Sequence, residues 1–224
     1  MLAEIDDSSI DEIWCLGDLI GYGPKPNECV ALVRERAKLC LVGNHDLGVL
    51  GRIDLTAFAG EAGDAALWTR TVLDDESRAF LESLSPSGAA PGVTLAHGSP
   101  RDPIWEYVLT AASAAAALAG TDEPLVLVGH SHIALAIAST DGTLTGGLAP
   151  EGVEVDLGAA QHLLNPGSVG QPRDSDPRAA WIVIDVDARR ATFRRTVYPI
   201  EQTQAEMREL GLSPVLAERL AKGE

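Results

Sequence analysis

The chain has no apolar run near the ~18 residues that a membrane span requires. Its longest candidate, residues 111–119, is short and rich in alanine. The first residues are acidic and lack the basic region of a signal peptide. Basic side chains are scarce: 17 Lys and Arg stand against 33 Asp and Glu, a formal net charge of −16. Broad binding to nucleic-acid backbones relies on Lys and Arg, so that class of function is excluded. Cysteine is rare as well. Cys15, Cys29 and Cys40 include no Cys-x-x-Cys pair, which argues against a disulfide framework and suits buried thiols in a reducing cytosol. Neither G-x-x-x-x-G-K-[ST] nor G-x-G-x-x-G occurs, so the common nucleotide-binding loops are missing. The expectation is a cytoplasmic protein with no membrane partner.

What is present is an ordinary globular balance. The 224 residues are 46% apolar and 22% charged, enough for one α/β domain over 1–224 with a sizeable core. Four short apolar runs end in the same way. Ile13-Trp14-Cys15-Leu16 runs into Gly17-Asp18, and Leu39-Cys40-Leu41-Val42 into Gly43-Asn44-His45-Asp46. Val93-Thr94-Leu95-Ala96 runs into His97-Gly98, and Leu125-Val126-Leu127-Val128 into Gly129-His130-Ser131-His132. In open α/β sheets the carboxyl ends of parallel strands hold ligands.

Between these runs the apolar spacing predicts helices over 27–37, with Cys29, Leu32 and Val33 on one face, and over 64–71, 75–84 and 110–118. Residues 85–92 read as loop. Strands are expected at 133–138, 153–157, 181–186 and 192–197, separated by turns such as Asp141-Gly142. These four would form an antiparallel second sheet packed on the first. Residues 201–224 read as a charged helical tail, broken near Gly211 and Pro214.

Four of the five histidines (His45, His97, His130 and His132) lie just past the apolar strands. Neutral imidazole suits Mn, Fe, Zn or Ni, and carboxylate or amide oxygen suits harder divalent ions. Asp18 has two oxygens and can bridge two metals. Asn44, His97 and His130 would serve the second of these, and His132 the first. Two such ions acidify a bridging water, clamp phosphoryl oxygens and stabilise an in-line displacement. His45 would be the general acid that protonates the leaving oxygen, with Asp46 either orienting it or capping the turn. Taken singly, each residue reads as a turn former or a loop histidine; it is the repetition that points to a site. His162 lies outside the pattern and reads as structural.

Gly17-Asp18, Gly43-Asn44-His45-Asp46, His97-Gly98 and Gly129-His130-Ser131-His132 resemble the successive motifs of the calcineurin-like metallophosphoesterases. Gly21-Tyr22-Gly23-Pro24 and Asn165-Pro166-Gly167-Ser168-Val169-Gly170 resemble those of the family's small bacterial and archaeal phosphodiesterase branch. The similarity runs over residues 12–198. It implies a two-sheet α/β sandwich flanked by helices and a dinuclear hydrolase of phosphomonoesters or phosphodiesters. Manganese is the first choice of metal, with Fe, Zn, Ni or Mg as alternatives. The Asn165–Gly170 loop would lie near phosphate, with Gly167, Ser168 and Arg173 as substrate-binding residues. The partner would be a small phosphate ester, and oligomeric state, homo-oligomer included, is left open. The family's first motif, Asp-x-His at the end of its first strand, has no counterpart here. The resemblance therefore implies that the first strand and most of the first helix are missing, through a start assigned downstream or a truncation, and leaves the first metal with Asp18 and His132 alone. A catalytically weak relative that binds a phosphorylated ligand or a protein is the competing expectation.

Overall fold

The computed structural model describes residues 1–58 and 60–224. The chain divides into two compact units, residues 1–86 with 199–222, and residues 87–198 with 223–224. The first opens with α1 (Leu2–Asp6), then β1 (Ile13–Cys15), α2 (Pro26–Arg36) and β2 (Ala37–Cys40). Strands β1 and β2 form a two-stranded parallel sheet of their own. A parallel pair needs a crossover, and α2 supplies it.

Pro26 starts α2 where its missing N–H costs nothing, and Arg34 and Arg36 sit in the last turn, favourable to the helix dipole. The face that α2 buries is not the expected one. Cys29 and Leu32 are exposed, while Val30 packs with Ile20, Val49, Ala66, Leu73 and Leu81. That core is closed by α3 (Asn44–Val49), α4 (Ala62–Val72) and α5 (Asp75–Glu82).

The second unit contains β3 (Ser87–Ala90), β4 (Val93–Ala96), α6 (Ala111–Leu118), β5 (Leu125–Val128), β6 (Ala134–Thr140), β7 (Thr143–Leu148), β8 (Glu154–Asp156), β9 (Gln161–Pro166), β10 (Ala179–Asp185) and β11 (Arg190–Thr196). Six strands form one sheet in the order β3-β4-β5-β9-β6-β7, with β4, β5 and β9 parallel. Three form another, β10-β11-β8. All four residues of β5 are buried, as expected of a central parallel strand. The small side chains of α6 let it pack closely, burying Ala114, Ala117 and Leu118 against Val126, Val128 and Leu163.

Three strands lie where none was expected. Ser87–Ala90 and Thr143–Leu148 are weak in strand formers, and pair only because β4 and β6 present open edges to them. Gln161–Pro166 is the third, and it brings 134–140 into the main sheet by antiparallel pairing. The second sheet therefore has three of the four expected strands. The Asp141-Gly142 turn holds, with φ of 50° and 79° at its two residues, joining β6 to β7.

The chain ends with α7 (Ile200–Glu209) and α8 (Pro214–Lys222). Met207, Leu212, Leu216 and Leu220 are buried there with Ala65, so the charged tail is built into the first unit's core. No helix among the described residues is long and apolar enough to cross a membrane.

Candidate metal centre

In the first unit the loops after β1 and β2 meet. The Asp18 Oδ1 accepts the backbone N–H of His45 at 2.9 Å. Asp18 holds a left-handed backbone, φ 55°, which is uncommon outside glycine. The approach of the loops depends on Gly43. A Cβ there would run into the Asp18 carboxylate and lie 2.5 Å from its amide nitrogen.

Asn44, His45 and Asp46 are buried in the first turn of α3. Asp46 caps the turn and leaves the imidazole to others. Its Oδ2 accepts the Gly43 N–H at 2.9 Å, and its Oδ1 the Ile20 N–H at 3.1 Å. Burial pushes its pKa well up and the Asp18 charge adds to this, while the two backbone donors pull it down. The His45 ring is held by Tyr22. The Tyr22 hydroxyl lies 2.5 Å from His45 Nε2, the two rings stack at 3.9 Å, and Phe58 meets His45 edge-on at 4.8 Å.

The second unit carries the other three strand-end histidines. His97 and His130 have ring centroids 5.0 Å apart, and the Gly129 N–H donates to the His97 carbonyl at 2.9 Å. His130 and His132 both take left-handed backbone, φ 58° and 60°. Backbone strain of this kind persists where the surroundings over-determine it, commonly at functional sites.

The ring orientations follow from carbonyls. His130 Nε2 lies 3.2 Å from the Trp105 carbonyl, with Tyr107 stacked on its face at 4.0 Å. His132 Nδ1 lies 2.8 Å from the Gln171 carbonyl. A carbonyl only accepts, so the facing nitrogen carries the proton and the lone pair rests on the other: Nδ1 in His130, Nε2 in His132. This is the usual arrangement of a metal-binding imidazole.

The Asn165–Gly170 segment braces this turn. Asn165 Nδ2 donates to the Gly129 carbonyl at 2.6 Å and to Ser131 Oγ at 3.0 Å, and its Oδ1 accepts the Gly167 N–H at 2.9 Å. Gly167 has φ 86°, and a Cβ there would lie 2.8 Å from that of Ala180. Ser168 Oγ accepts the Gln171 N–H at 3.0 Å, and Arg173 donates to Gln171 Oε1 at 2.9 Å. The Arg173 backbone N–H donates to the His132 carbonyl at 3.0 Å. The three expected phosphate-binding residues are thus tied to the loop that orients His132.

A profile of the calcineurin-like phosphoesterase superfamily domain matches residues 1–189. The chain belongs to the calcineurin-like phosphoesterase superfamily. A metallophosphoesterase from Sphaerobacter thermophilus, known by its crystal structure, is 41% identical and superposes with a TM-score of 0.90, covering 99% of this chain and 92% of that one. An uncharacterized protein, MJ0912, from Methanocaldococcus jannaschii is 37% identical over 228 residues, covering 100% of this chain and 91% of its own length. The hypothetical protein PH1004 from Pyrococcus horikoshii shares the fold at 16% identity, with a TM-score of 0.77 over 100% of this chain and 90% of that one. The mixed α/β phosphoesterase fold with helix-flanked sheets is that of this family.

Within this phosphoesterase the residue types suit a divalent ion: a carboxylate, an amide and imidazoles, two of which are oriented by backbone carbonyls. Several supporting residues were not foreseen, namely Tyr22, Trp105, Tyr107 and the buried Asp174–Arg195 ion pair. Asp174 Oδ2 also accepts the Ala134 N–H at 3.1 Å, anchoring the loop that carries Gln171. Tyr22 lies within the Gly21–Pro24 motif, where its ring is visible in the sequence. The carbonyls of Trp105 and Gln171 left no trace in the sequence, because every residue has one.

Proposed function

We propose that this phosphoesterase hydrolyses phosphomonoesters or phosphodiesters, with Asp18, Asn44, His97, His130 and His132 holding two divalent ions and His45 acting as general acid. Manganese is the metal of choice in this reading. Bound ions would acidify a water and offset phosphoryl charge. The chain's own groups do the rest. His45, steadied at Nε2 by Tyr22, donates the proton that the leaving oxygen needs, and the carbonyls of Trp105 and Gln171 keep His130 and His132 in their metal-binding tautomers.

One observation carries the reading. Asp18, His130 and His132 are three of the six non-glycine residues with positive φ among the described residues, and all three are expected ligands. Such strain concentrated on one donor set supports a ligand role over a turn-forming one.

The test is hydrolysis of bis-p-nitrophenyl phosphate and p-nitrophenyl phosphate with and without Mn²⁺, wild type against His45→Ala, alongside metal analysis of both. The expected result is metal-stimulated turnover that collapses in His45→Ala while bound metal stays the same. Metal uptake with no turnover above the His45→Ala level would overturn hydrolysis in favour of a phospho-ligand binder. No metal uptake at all would overturn the metal-dependent hydrolase and leave a metal-free binder.

A further inference from the structure

The ladder between β1 and β2 sets Cys15 directly opposite Cys40. The Leu41 N–H donates to the Cys15 carbonyl at 2.9 Å, as the flanking residue does around an in-register parallel pair. Paired residues on adjacent strands turn their side chains to the same face. Adjacent strands lie ~4.7–4.9 Å apart, and a disulfide needs Cα atoms ~4.4–6.8 Å apart. Strand spacing alone therefore meets the main distance requirement of the bond.

The ladder brings the two thiols close enough for hydrogen bonding between them to shift their acidities. Cys40 Sγ also lies 3.4 Å from the Leu41 carbonyl. Both residues are half-buried, whereas Cys29 is exposed on α2. The hydrogen bond from Cys40 holds the Cys15 thiol below its ordinary pKa, aided by the Gly17 N–H and opposed by burial and Asp18. The same bond pushes Cys40 up. The direction of these shifts favours Cys15 as the attacking sulfur and Cys40 as its resolving partner.

We propose that Cys15 and Cys40 form a reversible modification site, oxidised by a hydroperoxide to an intramolecular disulfide at the root of the loops that carry Asp18 and Asn44. The Cys15 thiolate attacks one peroxide oxygen and the O–O bond breaks. The departing oxygen leaves as water, or as an alcohol, after taking a proton, and Cys15 becomes a sulfenic acid. The Cys40 sulfur then attacks the Cys15 sulfur, the S–O bond breaks, and the released hydroxide takes the Cys40 proton to leave as water. Two thiols lose two electrons and two protons in all, and the peroxide gains them. A dithiol reductant reverses the bond by exchange. The inference does not depend on the hydrolase reading.

The experiment treats the purified full chain with hydrogen peroxide. Thiols are titrated after denaturation, and disulfides are mapped by mass spectrometry of a non-reducing digest. Titratable thiols should fall from the three of the sequence to one, with a Cys15–Cys40 linked peptide, and dithiothreitol should restore all three. Cys29→Ser should yield the same link with no thiol left. Two outcomes would overturn the proposal: Cys29-linked dimers as the product, or Cys15 and Cys40 recovered as thiols or as sulfinic acids without a link. Mapping of the wild-type chain decides the matter even if a variant folds poorly.

Discussion

The two units present opposite kinds of donor by opposite means. In the first, the loops after β1 and β2 offer oxygen, and backbone N–H groups hold it: Asp18 accepts from His45, and Asp46 from Gly43 and Ile20. In the second, the loops after β4 and β5 offer nitrogen, and backbone carbonyls turn it: Trp105 for His130 and Gln171 for His132. A carboxylate needs donors around it and a ligating imidazole needs an acceptor behind it. The same loop position at a strand end is thus solved by complementary backbone chemistry. In the proposed reaction the first region would supply charge and, through His45, a proton, while the second would supply oriented lone pairs.

The largest test of that division is His45→Ala. Removing a general acid costs ~10²–10⁴-fold in rate, and kcat for a nitrophenyl phosphodiester should fall accordingly with metal content and denaturation midpoint unchanged. A parallel loss of metal would put His45 among the ligands and break the comparison.

Arg195→Ala strikes the second region alone. The Asp174–Arg195 pair is buried, with side chains 7% and 3% exposed, and removing one partner of such a pair costs ~3–5 kcal/mol. Urea unfolding should show that loss. A change below ~1 kcal/mol, the scale of an exposed pair, would mean that the Gln171 loop is anchored some other way.

Tyr22→Phe sharpens the first region's role. It keeps the ring stack on His45 and removes only the hydroxyl, a net hydrogen bond of ~0.5–1.5 kcal/mol. A fall in kcat of about tenfold at most, with KM held, marks Tyr22 as a positioning residue. Unaltered kinetics would reduce it to packing.

The smallest effect belongs to His162, a buried imidazole on β9 with neither ring nitrogen hydrogen-bonded. Burial depresses its pKa, with Asp156 opposing weakly. The folded state therefore prefers the neutral ring, and the unfolded chain takes up the proton first. That contribution to stability is whole above the unfolded value, about 6.5, and is lost as pH falls through the lower folded one. His162→Leu should flatten this part of the stability–pH curve. An unchanged curve would assign the acid sensitivity to other groups.

Much of this was legible along the chain. Apolar runs at Ile13–Cys15, Val93–Ala96 and Leu125–Val128 marked strands, most sharply at Leu125–Val128, which is buried on both faces and so has to be apolar throughout. The residues just past them named the donors, and their order named the family. Ser87–Ala90, Thr143–Leu148 and Gln161–Pro166 were not legible as strands. Their pairing depends on edges supplied by β4, β5 and β6, and little on their own propensity.

The sequence by itself determined the kinds of candidate ligand atom, the strand ends that carry them and the shortage of basic charge. Only the tertiary structure decided how those atoms are poised: which nitrogen of His130 and His132 bears the proton, that Asp46 caps a turn while Tyr22 holds His45, and that Cys15 faces Cys40. Each of these rests on a hydrogen bond or a register between groups far apart in the chain. Several of the partners are backbone atoms, which are the same in every residue and become distinct only through where the fold puts them.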